Sequence, residues 1–431
     1  METLWETGKF AAKLRPRATY GEILPTGEIL DLVAAADGEG LDLLRWDATQ
    51  ELVIAPRIEC AGVLYHPAKL HPSILQAMRF PNGAAEYGTE AELFGRIAGL
   101  YSEYANLPEN LAAYATCFTL ASSVPELLPV PLTLCVSGAP AHQIHKLFRL
   151  IRELGWRGLL VAELNRRLPF FLHPTLMVDD PRLSGKAMAF WVSANRQGMF
   201  VAGAGDAVRE MACSKVVLLR PEDPQDAWGE DAMHLVLPRA ELPTLSNELL
   251  TRIAAESQPQ LEMFRLRHLS GVDPFVSATH PLARFELARN LGACIPEDPG
   301  IIQLLTPLFE SHQQDISAQR SRDPRVAILE AIWSPSHDQE EITVGEITKR
   351  VNAILRSRGV NEDHNVRQIG WKLRDLGLYS TSNGKCKVLR FSGQIREGIH
   401  EWVQEFRLQL PFRKDCSGCQ ALQATDKKSD Q

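Results

Sequence analysis

The sequence predicts an α/β protein in which a mainly parallel sheet covered by helices is joined to a small β-rich module at the N-terminus and a winged-helix module at the C-terminus. Three observations lead to this prediction. Short apolar, β-branched segments alternate with amphipathic segments in the middle of the chain, which is typical of a parallel sheet covered on both faces. Short strands broken by turn residues precede that region. Three helical segments and a hairpin signal follow it.

The same patterns divide the chain into five expected segments. The polar, charged stretch SAQRSRDP is a candidate linker between the helical region and the C-terminal module. The expected segments are a β-rich module (1–85), an α/β domain (86–241), a helical lid (242–320), a winged helix (321–408) and a flexible tail (409–431).

Composition indicates a globular protein of a reducing compartment. The chain has 431 residues, of which 45% are hydrophobic, and at roughly 150 residues per domain we expect about two to four domains. No apolar run approaches the ~20 residues that a membrane helix requires, and the N-terminal stretch lacks the apolar core of a signal peptide, so we expect a cytoplasmic protein without a membrane partner. Most of the eight cysteines stand alone in apolar segments, as small core residues do.

Two cysteines near the C-terminus form a CxxC pair, Cys416 and Cys419. A zinc site of this type needs a second pair of ligands, and none follows in the sequence. A thiol pair in the tail is therefore favoured over a metal site.

The net charge of −7 conceals an asymmetry along the chain. Residues 343–414 contain 14 Lys and Arg against 7 Asp and Glu, a balance of +7, and the remaining residues carry −14. A basic module on an acidic body predicts a polyanionic partner for that module alone.

The N-terminal half begins with strands and then turns helical. Residues 23–65 show short apolar strands separated by turns, which indicates a small β-rich module without evident chemistry. Thr89 and Glu92 have the spacing of a capping box and predict the start of a helix, and a second helix is expected after Pro108.

The strand LTLCV runs into an amphipathic helix across a turn at Gly138, the place of a phosphate-binding loop. Such a loop follows GxxxxGK[ST], in which backbone N–H groups, a lysine and a hydroxyl hold the phosphates and magnesium. Counted from Gly138, the last three positions are Gln143, Ile144 and His145, none of which fits. Lys146 lies two places late, about half a turn around the helix. Only the helix N-terminus, a weak anion site, remains.

A second candidate feature is the strand PTLMVDD, which ends in Asp179 and Asp180. Four apolar residues followed by acids have the general shape of a Walker B strand, in which the first acid binds magnesium and the second position orients the attacking water. The alternative is an ordinary turn capped by aspartate.

The C-terminal module shows three helical segments, a hairpin turning on Asn383-Gly384 and a last helix, the order of a winged helix. In the third helix a predicted buried stripe comprises Val366, Ile369, Leu373 and Leu376. The opposite face could enter a major groove while the hairpin touches phosphates, with protein contact as the alternative use. The candidate nucleic-acid-binding residues are Arg367, Lys372 and Arg374 on the helix and Lys385 and Lys387 in the hairpin.

Taken in order, these motifs resemble P-loop ATPases of the AAA+ type, especially helicase-like and primase-associated ATPases of bacterial mobile elements, over roughly residues 86–406. The resemblance implies a nucleotide site with Mg²⁺, at the carboxyl edge of the sheet. We expect the turn at Gly138 and the acid at Asp179 to lie on neighbouring parallel strands. The site residues that the resemblance implies are Gly138 and Pro140 at the start of the loop, Lys146 as its nearest cation, Asp179 as the magnesium ligand, Asp180 as the catalytic acid, and Asn195 and Ser214 as polar sensors.

The sequence also departs from that family. Without the loop lysine and hydroxyl, the charge neutralisation on which phosphoryl transfer depends is missing. The stretch DAWGEDAMH offers no arginine finger, and Arg284 and Arg289 are either lid arginines or surface charges. The expectation is a degenerate site that binds ATP and Mg²⁺ weakly or not at all.

Three functions are compatible with these observations. The first is a nucleic-acid-associated protein, with DNA as the expected partner, whose AAA+-like body supplies partner or homo-oligomer contacts in replication or maintenance of a mobile element. The second is a winged-helix transcriptional regulator with a ligand-sensing body. The third is an active ATPase with an unorthodox phosphate loop.

Overall fold

The structure is a computed structural model that describes residues 15–422 except 48, 50, 129, 184, 203–207, 222, 224–227, 271–278, 407 and 409. It divides into two compact units, Met1–His312 and Gln313–Gln431. The sequence had placed the start of the C-terminal module at residue 321.

The first unit begins with a β-rich module that contains two sheets. One is an antiparallel meander of four strands, and in the other the first described strand pairs in parallel with the last strand of the module. The predicted β-rich module is therefore confirmed. Its strands are β1 (Arg15–Thr19), β2 (Glu22–Ile23), β3 (Ile29–Ala34), β4 (Leu41–Trp46), β5 (Leu52–Ala55), β6 (Ile58–Cys60) and β7 (Val63–Pro67).

Three helices follow, α1 (Pro72–Ala77), α2 (Glu90–Ala105) and α3 (Glu109–Ser122). The capping box predicted at the start of α2 is confirmed. The Thr89 hydroxyl accepts a hydrogen bond from the Glu92 amide at 3.2 Å, and the Glu92 carboxylate accepts one from the Thr89 amide at 2.8 Å. These two bonds satisfy amide donors that the first turn of a helix leaves free.

The α/β region contains the predicted parallel sheet. Its strands lie side by side in the order Ala232–Val236 (β14), Thr133–Ser137 (β8), Lys215–Leu218 (β13), Leu176–Val178 (β10) and Leu159–Val161 (β9). The segment SANRQGMFVAGAGDAVREM predicts a hairpin that turns on Gly203 and Gly205, and the structure contains a hairpin there, separate from the parallel sheet: Phe200–Ala202 (β11) pairs antiparallel with Val208–Glu210 (β12). The predicted turn itself lies outside the described residues. The elements of this region are β8 (Thr133–Ser137), α4 (Ala141–Leu154), β9 (Leu159–Val161), β10 (Leu176–Val178), α5 (Gly185–Ala194), β11 (Phe200–Ala202), β12 (Val208–Glu210), β13 (Lys215–Leu218) and β14 (Ala232–Val236).

Successive residues of the parallel strands enter two different hydrophobic cores. In β8, Leu134 and Val136 pack into a core with α2, α3 and α4, whereas Cys135 packs into a second core with α5 and part of the β-rich module. This alternation follows from the two-residue period of a strand, and it shows why these strands are apolar on both faces.

The region after β14 is mostly helical, as expected from the sequence, with α6 (Asn247–Leu269), α7 (Glu286–Leu291) and α8 (Pro299–Arg322). Leu250, Phe264 and Phe309 from these helices are buried in the same core as α4. The predicted lid region thus contributes to the core of the first unit.

The second unit packs helices against a three-stranded antiparallel sheet in the order β15-β17-β16. Ile369, Leu373 and Leu376 are buried, which confirms most of the predicted stripe. Val366 was predicted wrongly: it is 48% exposed because it occupies the first residue of its helix. The elements are α9 (Pro324–Asp338), β15 (Glu341–Thr343), α10 (Val344–Ser357), α11 (Val366–Asp375), β16 (Thr381–Ser382), β17 (Lys387–Arg390) and α12 (Gly393–Glu405).

The chain after α12 returns to the core of the second unit. Residues 417–422 are helical, and Cys419 and Leu422 are buried among the apolar side chains of the unit. This stretch is part of the folded unit rather than of a flexible tail, because its apolar side chains have a core to enter. Within the described part of the chain, no helix is both long and apolar enough to cross a membrane.

Candidate functional site

The first candidate site lies at the carboxyl edge of the parallel sheet. The turn at Gly138 follows β8 and Asp179 follows β10, and both strands point the same way. The sequence predicts that β8 and β10 are neighbouring strands, but β13 lies between them. The two positions still share one edge, where ligands of open α/β sheets bind.

The turn between β8 and α4 is short and tightly packed. Only residues 138–140 separate the two elements, and Gly138 has φ +87°. A Cβ atom at this position would lie 2.7 Å from the carbonyl oxygen of Leu237, just beyond β14. Glycine is required here by backbone conformation and by close approach to the protein itself.

The remaining positions of the loop motif lie inside α4, which starts after Pro140. Ile144, at the place of the motif lysine, is 1% exposed, so a lysine there would have its ammonium in the apolar core. The Gln143 side chain accepts a hydrogen bond from the Leu242 amide at 2.9 Å. Lys146 donates to the Leu242 carbonyl at 2.6 Å and is therefore committed to that segment.

Both carboxylate oxygens of Asp179 are bound by side chains of this edge. Its Oδ2 lies 2.8 Å from Nε2 of His145, which stands at the position of the motif hydroxyl. Its Oδ1 accepts a hydrogen bond from the Arg220 guanidinium. Two donors thus occupy the oxygens that a cation would need.

Asp180, the predicted catalytic acid, caps the surrounding loops. Its buried carboxylate accepts hydrogen bonds from the backbone amides of Leu164 at 3.0 Å and Arg182 at 2.9 Å. Burial alone would raise the pKa of Asp180, but these backbone bonds and the Arg182 guanidinium lower it below its usual value. The carboxylate is thus held ionised by its own loop.

The two predicted sensors lie at the opposite edge of the sheet. Ser214 immediately precedes β13, and its buried hydroxyl has no hydrogen-bond partner among the described residues. Asn195 donates to the Pro131 carbonyl at 2.5 Å and accepts from the Cys213 amide at 3.0 Å and from the buried Lys215 ammonium. Because Pro131 and Lys215 stand at the amino ends of their strands, neither sensor candidate reaches the edge that carries Asp179.

The sequence analysis missed Arg220, the polar residue that does reach this edge. It follows β13 by two positions, and a residue just after a buried parallel strand lies at the carboxyl edge. The signal is present in SKVVLLR, where the arginine follows the buried strand and the serine precedes it.

The second candidate site is the exposed face of α11 together with the β16–β17 hairpin. Asn365 and Gln368 form a capping box that fixes the start of α11. Arg367 lies over the ring of Trp371, 4.8 Å from its centroid, and Trp371 is 49% exposed.

Cations on this surface differ from six arginines of the same unit. No described ion pair involves Arg367, Lys372, Arg374, Lys385 or Lys387. By contrast, the arginines with acidic partners are Arg325 (Asp323), Arg350 (Glu346), Arg356 (Asp363), Arg358 (Glu330), Arg390 (Glu341) and Arg413 (Asp338). Among the described residues, the predicted binding residues therefore have no acidic partner within ion-pair distance.

Comparisons with known proteins give weak likenesses. No family model and no curated protein matches the chain. Two apo A-form structures of the NrS-1 C-terminal region cover 84% of this chain and 97% and 96% of their own, at 9% identity and TM-scores of 0.32 and 0.30. Cdc6p from Pyrobaculum aerophilum covers 68% of this chain and 94% of its own, at 11% identity and a TM-score of 0.18. The parallel five-stranded sheet with its helices is, by its own geometry, consistent with an α/β P-loop-like fold.

Proposed function

We propose that the chain is a DNA-binding protein that acts through a winged helix in its second unit, on a P-loop-like body that does not turn over ATP. The observation that carries the proposal is the set of unpaired cations on α11 and the hairpin. Free cations on one element attract a polyanion because each contact with a phosphate releases a counterion.

The elements of the second unit support the winged-helix interpretation. Helices α9, α10 and α11 are followed by the hairpin β16–β17, and β15 completes the sheet. In this arrangement α11 is the recognition helix, whose buried stripe holds it on the unit. Arg367 and Arg374 are exposed and Lys372 is half-buried. Lys385 and Lys387 in the hairpin would contact the sugar-phosphate backbone.

The residues at the carboxyl edge of the first unit do not fit Mg²⁺ and ATP. A three-residue turn supplies no extended run of amides to surround phosphates, and the motif position at Ile144 belongs to the core. The Asp179 carboxylate is paired with the Arg220 guanidinium and hydrogen-bonded to His145. This supports a body that serves as a scaffold for partner or homo-oligomer contacts.

DNA binding is tested by fluorescence anisotropy of the full chain with labelled duplex at rising salt. We expect the affinity to fall steeply, and the triple variant Lys372→Gln, Arg374→Gln, Lys385→Gln to reduce the slope of log K against log salt by about 2–3, since each lost phosphate contact removes about 0.9. The matched control neutralises Arg325, Arg350 and Arg356, which have acidic partners, and should change the slope by less than about 1. Equal slopes in the wild type and the first triple variant would reject the interface.

Nucleotide binding is tested by calorimetry of the full chain with ATP and Mg²⁺. We expect no binding tighter than about 1 mM. A submicromolar affinity that disappears in Asp179→Ala but persists in Glu59→Gln, an exposed acid of the β-rich module, would overturn the scaffold interpretation and favour an active ATPase with an unorthodox loop.

A more specific proposal concerns the biological process in which the chain binds DNA. The resemblance to ATPases of mobile elements supports replication or maintenance of such an element over transcriptional regulation. A regulator would prefer one operator over random duplex by 10³-fold or more, so selection of binding sites from a random pool separates the two roles.

A further inference from the structure

Four metal-ligating side chains of the second unit meet in one cluster. His337 lies at the end of α9, His400 in α12, and Cys416 and Cys419 in the chain that follows α12. Their ligand atoms all lie within 4.8 Å of one another. Both cysteines are free thiols, and Cys419 is fully buried. None of these groups takes part in the proposed DNA or nucleotide interactions.

The distances within the cluster match those of a shared tetrahedral ion. The Sγ atom of Cys416 lies 3.4 Å from Nε2 of His400, and that of Cys419 lies 3.3 Å from Nε2 of His337 and 3.5 Å from Nε2 of His400. With Zn–S near 2.3 Å and Zn–N near 2.0–2.1 Å, two ligands of a tetrahedral zinc ion are about 3.6 Å apart. The four donors therefore already stand at ligand spacing.

Both imidazoles are oriented by the backbone. Nδ1 of His337 lies 2.8 Å from the Trp333 carbonyl, and Nδ1 of His400 lies 2.7 Å from the Arg396 carbonyl. A carbonyl can only accept, so each Nδ1 carries the proton and each Nε2 presents a lone pair to the cysteines. This second-shell arrangement fixes the tautomer that a metal-binding histidine needs.

The chain around the cysteines is shaped to fit the histidines. A Cβ atom on Gly418 would lie 2.8 Å from Cδ2 of His400, so the CSGC turn can approach that ring only with glycine between the cysteines. The Trp333 ring contacts the edges of both imidazoles, with centroids 4.7 and 5.0 Å away, and its indole N–H donates to the Pro411 carbonyl at 2.9 Å. The cluster thus joins the C-terminal stretch to α9 and α12.

We propose that His337, His400, Cys416 and Cys419 bind one Zn²⁺ ion in a closed structural site. Two thiolates and two neutral imidazoles favour zinc over magnesium or calcium, which take oxygen ligands. On binding, the two thiols release their protons to solvent, and the ion and thiolates together are neutral. With four protein ligands the ion has no open position for catalysis, so its role is to hold residues 410–422 on the unit.

The test is the zinc content of the full chain, purified without chelators under reducing conditions and passed through gel filtration. We expect about one zinc per chain, as a four-ligand structural site binds tightly. The double variant Cys416→Ser, Cys419→Ser should retain less than about a tenth of that amount. The matched control Cys386→Ser changes an exposed thiol of the same unit and should retain all of it.

A ligand-preserving variant keeps the test decisive if the serine variant does not fold. Cobalt substituted for zinc in the wild type should show visible bands of a tetrahedral ion and a thiolate charge-transfer band. In His337→Cys that band should grow by about half per cobalt, because three thiolates replace two. No bound zinc, no thiolate band in the wild type, or a Cys416–Cys419 disulfide in freshly purified reduced protein would each overturn the proposal.

Discussion

The candidate site residues of the two units differ in whether other side chains of the protein already pair with them. In the first unit, buried Asp31 accepts hydrogen bonds from Arg157 at 2.6 Å and from Arg265 at 2.9 Å. At the sheet edge, Asp179 is likewise engaged by its neighbours. In the second unit, five surface cations have no acidic partner among the described ion pairs, and four metal-ligating groups face one another.

The difference separates charges that hold a fold together from groups that can take a ligand. A carboxylate with built-in cations has no reason to recruit magnesium, because its negative charge is already compensated. Thiols and imidazoles with lone pairs turned inward gain from an ion, and unpaired surface cations gain from phosphates. Local sequence motifs predict a metal site in the first unit. The hydrogen-bond and ion-pair partners of the candidate ligands favour the second unit instead.

The largest expected effect is on the buried network of the first unit. Asp31→Asn removes the charge that Arg157 and Arg265 share, and both guanidiniums are buried. Breaking such a network leaves uncompensated buried charge, so we expect the free energy of unfolding of this unit to fall by about 3–5 kcal/mol.

Urea denaturation followed by the fluorescence of buried Trp156, which lies under the Arg265 guanidinium at 4.3 Å, measures this change. Glu22→Gln, which breaks the exposed pair with Arg17, is the control and should cost less than about 1 kcal/mol. A loss in Asp31→Asn no larger than in the control would show that the buried charges are not coupled to stability.

A smaller effect concerns Glu262, which lies in α6 beside the same network. Both of its oxygens are buried without a hydrogen-bond partner among the described residues. Burial, together with the charge of Asp31, raises the pKa of Glu262 well above its ordinary value despite the nearby arginines. The folded state therefore holds a proton that the unfolded state has lost once the pH exceeds about 4.3.

The sign of the pH dependence follows. Above that pH the folded state binds more protons than the unfolded state, so this residue makes stability fall as the pH rises, up to its folded pKa. Glu262→Gln should flatten that fall and raise the free energy of unfolding at pH 7 by about 1 kcal/mol or more. Urea titrations at pH 5 and pH 8 test this, and a variant with the wild-type slope would mean that the carboxyl is ionised in the folded protein.

How far the sequence predicts this molecule depends on whether a feature is local. The capping box at Thr89 and Glu92, the β-rich module and the buried strands of the sheet follow from spacing and hydrophobic period, and the structure contains them. The position of β13 between β8 and β10 does not follow, since strand order is set by how crossovers pack rather than by any one segment.

The candidate sites depend even more on contacts between distant parts of the chain, which the sequence does not predict. Asn195 and Ser214 were chosen as polar residues near a strand, but the choice of edge depends on strand direction, which favours Arg220 instead. His337 is separated from the cysteines by whole helices and a hairpin, and His400 by the end of α12 and the residues that follow it. Both histidines precede the CxxC pair, and α9 and α12 bring them to it only in the folded unit, so no second ligand pair after Cys419 marks the cluster in the sequence.

The smallest expected effect on the free energy of unfolding is that of Trp371→Ala, which also tests whether α11 contacts DNA. Trp371 is half exposed and stacks with Arg367, so its loss should change the free energy of unfolding by less than about 0.5 kcal/mol. If α11 faces DNA, the same loss should weaken binding by about 1 kcal/mol, roughly fivefold, since the ring and the guanidinium it supports both leave the interface. Phe200→Ala, at an aromatic ring 61% exposed in the first unit, should leave the affinity unchanged. Equal affinities for the wild type and Trp371→Ala would place the DNA contact elsewhere than on α11. The absence of acidic partners around the cations of this surface would then not indicate that they bind DNA.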